Sequence, residues 1–528
     1  MLRLLAILLS LAIATPAAAA WQRARSAHFI VYADAGEAWL TDYVRALERY
    51  DMLLRLSFQI DDDTASAPLS VFVLNSVGQV QAAGPRVKNV AGFYAAGPGG
   101  ALVVVPKSTG GAIQSAEIVL RHEYAHHLMM HYFPAAYPAW YIEGFADFVS
   151  TATFDTRNLP SLGAPPAARW LAAKNGPRLG LEKLLTIGAH DLTDYQRGAF
   201  YAESWLLTHY LNLTPARAGQ LAHYLDLLNE GKAGREAAIG AFGDLKTLQD
   251  DFDRYRQQSS LRYYRIANPL VFSGAIALSP LDPAEAETIG ARLALTHGVD
   301  KDHRAAVVAA LQKALVHDPN SAGTLTLLAR AQLNLRAYDA AEAAADKALA
   351  IDPAQGRAAL WKGLAIVGRL RDAGDKDAEK WKAARRWIIQ ANRADPSDPV
   401  PLRENFRIYR LLGLEPSQIA KDGLAQSYRL LPQNVGLRFE YAALLAQDGK
   451  PDAAIALLKP VANAPHGSPA PQAAAASRMI AGIEEAKARG ATMKIDPPSE
   501  PEAEEDAPPK ETIGAAFPPE VLLPHGAY

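Results

Sequence analysis

The chain has 528 residues, 49% of them hydrophobic and 21% charged, too long for one hydrophobic core and ordinary for folded, water-exposed domains. Its 54 basic and 56 acidic side chains leave a formal charge of −2, so no field of one sign is available to hold nucleic acid, and that class is set aside. Cysteine is absent; this excludes thiolate catalysis and cysteine-ligated zinc, and any metal must be held by His, Asp or Glu.

Residues 1–20 read as a secretory signal peptide. Arg3 gives the positive start, Leu4 to Ile13 form an apolar run broken only by Ser10, and Ala17 to Ala20 offer small residues for cleavage before Trp21. No later stretch is long and apolar enough to span a bilayer. The expected location is outside the cytoplasm, in a bacterial periplasm.

The stretch 21–260 reads as one α+β domain. His28 to Ala33, Leu69 to Leu74 and Ala101 to Val105 are apolar and β-rich, and the last follows the turn signal Gly97-Pro98-Gly99-Gly100. Leu40, Tyr43, Val44, Leu47, Tyr50 and Leu54 give Gly36 to Phe58 a helical stripe. Helices are expected over about Gln114–Tyr132, Ala139–Thr151, 181–187, 195–212, 215–230 and 244–257. Residues 261–282 look extended and irregular and are expected to link to the next domain.

From 283 to 488 the texture is Ala/Leu-rich. Prolines at 319, 353, 396, 432 and 465 are spaced by 34, 43, 36 and 33 residues, a period that marks stacked helix-turn-helix repeats. Residues 322–353 fit the tetratricopeptide pattern best, with Leu325, Leu328 and Ala329 in one helix and Ala341, Ala345 and Ala348 in the next. The charged insert Arg371 to Lys380 accounts for the long spacing. The tail, 489–528, carries eight prolines and the acidic run Glu500 to Asp506, a composition expected to be disordered.

The chemistry-bearing stretch is His122-Glu123-Tyr124-Ala125-His126. Two histidines four apart on a helix share a face and can reach one ion. Glu123, one residue on, is angled toward water at that ion and suits a general base. Seventeen residues after His126 comes Glu143, beyond Pro134 and Pro138, which force the first helix to end and the chain to turn. A second helix can bring Glu143 back as third ligand, the His2Glu set of catalytic zinc. Asp147, one turn on, is placed to accept the other ring N–H of His122. His127 and His131 form a second pair without a downstream carboxylate and read as packing or solvated residues.

His122-Glu123-x-x-His126 followed by Glu143-Gly-x-Ala-Asp147 resembles the gluzincins, the zinc-peptidase clan of thermolysin and related aminopeptidases. The resemblance implies a zincin-like fold, Zn2+ held by His122, His126 and Glu143, and Glu123 as catalytic base. It also implies an oxyanion donor on a following helix, for which Tyr201 is the candidate and His209 the alternative. The layout is similar to bacterial peptidase-like domains of unknown function that precede tetratricopeptide repeats. The aminopeptidase amine-binding motif is missing from Gly97 to Val105, so the expected activity is that of an endopeptidase on a protein or peptide. Strand Ala101 to Val105 is expected either to pair with an extended peptide or to be a plain core strand. The repeats are expected to bind substrate or a partner protein. The competing expectation is a periplasmic repeat scaffold with a catalytically silent zinc domain.

Overall fold

A computed structural model describes residues 21–61, 66–84, 90–97, 99–110, 114–188, 192–464 and 470–490. Residues 1–20, expected to be a signal peptide, and the tail beyond residue 490, expected to be disordered, lie outside the described residues. No described helix is long and apolar enough to cross a membrane.

Strands Trp21–Arg25 (β1) and Phe29–Asp34 (β2) pair antiparallel, and helix Glu37–Phe58 (α1) follows. Leu69–Leu74 (β3) lies parallel to β2, then comes Val77–Ala83 (α2). The hairpin Phe93–Gly97 (β4) and Gly100–Pro106 (β5) sets β5 parallel to β3 and antiparallel to β4. It closes at Gly100, whose φ of 122° suits only glycine. The inner strands are apolar on both faces because both are covered. Val31, Val71, Val103 and Val105 face α1 and the helix that follows β5, while Tyr32, Phe72, Leu102 and Val104 face α2 and later helices.

The helical half follows: Ala116–Tyr132 (α3), Ala139–Ser150 (α4), the short strands Thr153–Phe154 (β6) and Pro160–Leu162 (β7), then Ala167–Asn175 (α5), Leu181–Thr186 (α6), Asp194–Leu213 (α7), Gln220–Asn229 (α8), Gly234–Phe242 (α9) and Leu245–Arg256 (α10). Ser115 caps α3, accepting from the Ile118 N–H, and a Thr193–Gln196 capping box starts α7. Helices α5 and α9 were not legible in the sequence: both are short, and their apolar residues show no long stripe.

One expectation needs correction here, and one open alternative closes. The stretch 261–282 is not a plain link. It contains Tyr264–Arg265 (β8), paired with β7, and Ala277–Pro280 (β9), paired antiparallel with β1. The described sheet therefore runs β4-β5-β3-β2-β1-β9. Strand Ala101 to Val105 is internal, with both edges taken by β3 and β4, so it cannot accept a peptide strand. The edge is β4, whose Phe-Tyr-Ala-Ala-Gly sequence gave no strand signal of its own.

Among the described residues from 283 onward the elements are all helical: Pro283–Glu287 (α11), Ile289–His297 (α12), Arg304–His317 (α13), Ala322–Asn334 (α14), Tyr338–Ile351 (α15), Gly356–Asp372 (α16), Ala378–Ala394 (α17), Pro399–Leu412 (α18), Gln418–Leu430 (α19), Val435–Gln447 (α20), Pro451–Ala462 (α21) and Ala470–Arg489 (α22). Pro319, Pro353, Pro396 and Pro432 lie in the turns between successive helix pairs, as the spacing predicts. Ala329, Ala341, Ala345 and Ala348 are fully buried where helices touch.

The repeats do not stand apart from the first domain. Phe406, Leu424, Tyr428, Leu431 and Leu437 belong to the same apolar core as α1, α3 and the sheet. Polar contacts tie the two further: Leu430 accepts from the Ala67 N–H at 3.1 Å, and the Gln433 side chain meets His131 Nδ1 at 3.0 Å.

Candidate metal centre

Helices α3 and α4 are joined by the Pro134–Pro138 turn and pack face to face, with α7 behind α4. This brings His122 and His126 of α3 opposite Glu143 of α4. One ligand atom from each lies within 4.8 Å of the others. His122 Nε2 is 3.2 Å and His126 Nε2 is 3.9 Å from Glu143 Oε2. Ligands held tetrahedrally at about 2.0–2.1 Å from zinc stand roughly 3.3 Å apart, so the set is near that spacing.

These three atoms are buried and make no hydrogen bond. Buried polar atoms are rarely left that way, and nitrogen lone pairs and a carboxylate oxygen aimed at one point are the donor set of a divalent cation. The residues fit zinc.

Asp147 sits one turn after Glu143 and takes up the expected place: its Oδ1 is 3.0 Å from His122 Nδ1. Placing the ring proton on Nδ1 leaves the Nε2 lone pair for metal. Asp147 Oδ2 accepts from Arg169 Nε at 2.6 Å, and both side chains are buried. Arg169 comes from α5. Sequence reading missed it because no spacing links it to the motif; an arginine inside the apolar Ala-Arg-Trp-Leu-Ala run was the sole trace.

Electrostatics follow from the packing. Burial pulls the His122 pKa down, but the Asp147 hydrogen bond, the adjacent Glu143 carboxylate and the charges of both override it and push it up to about 10. Burial and the neighbouring His122 hold His126 well below the usual range. Glu143 is raised by burial, against the pull of His122. Asp147 is lowered despite burial, chiefly by Arg169 and His122. With His122 neutral, as a metal ligand must be, two carboxylates against one guanidinium leave a buried negative charge, which a divalent cation neutralises.

Glu123 is fully buried. A Cβ placed on Gly92 would come within 3.1 Å of its Cγ, so the entry to β4 packs over this carboxylate. Tyr201, on α7, is also buried, with Arg169 Cζ 4.8 Å from its ring centroid. Burial and the Glu143 charge hold its phenol well above the ordinary value, so it stays protonated. His209 is excluded as the alternative donor: Nδ1 meets Tyr255 Oη at 2.8 Å and Nε2 meets the Gly163 carbonyl at 3.1 Å. His127 and His131 are buried packing residues, with Tyr94 and Gln433 beside them.

No protein-family profile and no curated protein matches the chain. Among solved structures, a thermophilic TPR protein of Thermus thermophilus is 23% identical, covering 35% of this chain and 92% of its own, at a TM-score of 0.28. Two structures of MamA are 16% and 15% identical, covering 36% and 40% of this chain and 93% and 96% of theirs, at TM-scores of 0.24 and 0.25.

Proposed function

We propose that the chain is an exported zinc-dependent peptidase of the gluzincin type, hydrolysing peptide bonds within polypeptides, with repeats that engage substrate or a partner protein. The observation that carries this reading is the convergence of His122 Nε2, His126 Nε2 and Glu143 Oε2 on one point, with none of them hydrogen-bonded.

Zinc held there would supply Lewis acidity toward a scissile carbonyl and toward water. Every other part comes from the chain. Asp147, locked by Arg169, fixes the His122 ring so that Nε2 faces inward. Glu123, next to His122, is the carboxylate that takes a proton from water and returns it to the leaving amine. Tyr201 offers its phenolic proton to the oxygen that gains charge. The dry surroundings strengthen each of these contacts.

A second reading is a repeat scaffold whose zinc site is silent. It is favoured by the exclusion of water from Glu123, which is 0% exposed, and from His126, also 0% exposed. One experiment separates the two. Zinc content and cleavage of an unfolded protein are measured on the chain from Trp21, for wild type and Glu123→Gln. One zinc per chain in both, with cleavage by wild type alone, supports the peptidase. Zinc in both without cleavage by either supports the scaffold, and zinc in neither refutes both.

A further inference from the structure

Edge strand β4 carries the cover of the proposed catalytic base, and the helices beyond residue 283 hold that strand from both faces. Gly92, directly before β4, lies on α3: a Cβ there would come within 2.6 Å of Val119 Cγ1 and 3.1 Å of Glu123 Cγ. On one face of β4, Phe93 meets the His297 ring of α12 edge to face, with centroids 5.7 Å apart. Gly97 abuts the end of the same helix, where a Cβ would stand 3.4 Å from the Thr296 carbonyl oxygen and 3.3 Å from that of His297. On the other face, Tyr94 lies against the Gln433 amide, and its ring centroid is 5.7 Å from that of His127. Gln433 Oε1 is 3.0 Å from His131 Nδ1 on α3.

This seam is poorly satisfied. Tyr94 Oη, His127 Nδ1, Gln433 Nε2 and His297 Nε2 are buried, and none makes a well-formed hydrogen bond among the described residues. Each would gain one from water if the seam parted, which offsets part of the packing lost. Strand β4 has a strand neighbour on one side only, whereas the repeats share a core with α1 and α3. The strand is therefore the part free to move, and the repeats are the fixed post. Phe93 and Tyr94 are buried, so the closed state dominates. A hydrolytic site must admit water, and in this state Glu123 and His126 are both sealed from it. We propose that β4 is a gate over Glu123, latched shut by His297 and Gln433, and that the site opens when these two contacts part. What the gate means for catalysis rests on the peptidase reading; the gate itself needs neither zinc nor cleavage to be tested.

The test compares the full chain from Trp21 with its His297→Ala and Gln433→Ala variants. Hydrogen exchange read by mass spectrometry follows residues 90–97, and carbodiimide labelling of carboxylates follows access to Glu123. The expected result is exchange over 90–97 about three- to tenfold faster in each variant, the effect of losing one such contact, with Glu123 labelled faster by the same factor. Exchange over β3 and β5 is expected to stay at the wild-type rate. Asn463→Ala removes a repeat contact that does not involve β4, the 2.8 Å hydrogen bond from Nδ2 to the Asn229 carbonyl, and should change neither readout. Unchanged exchange in either latch variant overturns the proposal. So does faster exchange without faster labelling of Glu123, which would mean that β4 is not its cover. Faster exchange spread through β3 and β5 also overturns it, because His297 and Gln433 would then be general supports of the fold. Failure of the wild type to cleave an unfolded protein counts against the peptidase reading alone and leaves these outcomes as they stand.

Discussion

Gly144 follows Glu143, the proposed third ligand, and faces α7 at backbone distance. A Cβ at this position would come within 2.3 Å of the Ser204 carbonyl oxygen and 2.3 Å of Thr208 Oγ1. Ordinary contact needs roughly 1 Å more. Ser204 offers backbone, which cannot swing aside, so Gly144→Ala must drive α4 away from α7. Overpacking of this kind costs roughly 1–3 kcal/mol. Glu143 and Asp147 ride on α4, while His122 and His126 ride on α3. A displacement of even half that size exceeds the roughly 0.2 Å tolerance of a metal–ligand distance. Zinc affinity is therefore expected to fall about 10–100-fold, the range seen when supporting contacts are lost. Chelator competition reads the affinity, and thermal unfolding of the zinc-free protein reads the packing cost. Gly198→Ala is the control, because a Cβ there meets nothing within 4 Å. It should be neutral or stabilise by up to about 1 kcal/mol. Wild-type zinc affinity and an unchanged midpoint in Gly144→Ala would refute the reasoning.

Asp147→Asn keeps the shape but loses the charge that Arg169 and His122 share; zinc affinity should drop about 10–100-fold, and chelator competition showing no change would discount the pair. Leu424→Ala should cost about 2–5 kcal/mol and lower one shared melting transition, because Leu424 lies in the core common to both regions; calorimetry resolving two transitions, with only one shifted, would contradict this. His28 carries a pH prediction. Burial lowers its pKa, but the Glu48 hydrogen bond at 2.8 Å and the Asp51 and Glu48 charges outweigh that and leave it raised. A raised folded value means the stabilisation is complete below the unfolded pKa of about 6.5 and is lost as pH rises through the folded value. His28→Asn should therefore cost on the order of 1–3 kcal/mol in acid and progressively less above neutrality. Denaturant titrations at several pH values check the slope, and a gap that widens with rising pH would reverse the sign.

Local periodicity made the fold's regular parts legible. The stripe from Leu40 to Leu54 and the proline spacing of the repeats depend on neighbours in sequence, and both reappear as α1 and the paired helices. Strand β4 was not legible because Phe-Tyr-Ala-Ala-Gly has neither alternation nor β-branched residues, and only its pairing with β5 makes it a strand. Strand β9 escaped for the same reason: Ala-Leu-Ser-Pro is extended because β1 offers it an edge, 256 residues away in the Arg23–Ser279 contact. The shared core was hidden too. Leu424 and Tyr428 satisfy a repeat stripe equally well whether they face the next repeat or another domain.

The candidate metal site divides along the same line. His122, His126, Glu143 and Asp147 are tied by helical spacing, so a pattern within 26 residues places four side chains about one point. Arg169 is tied to that point by tertiary packing alone, and Gly144, although it stands within the motif, acts there through its packing on α7. Arg169 reaches Asp147 from α5, which packs on α7 as α4 does, and Gly144 matters because α7 approaches at that residue. Each acts through contacts that the motif's spacing does not encode: α4 must sit at one depth and Asp147 must hold its charge. The motif's spacing thus specifies which atoms meet, while tertiary contacts specify how closely. That is why Gly144→Ala, which replaces no proposed ligand, tests the site as severely as changing Asp147.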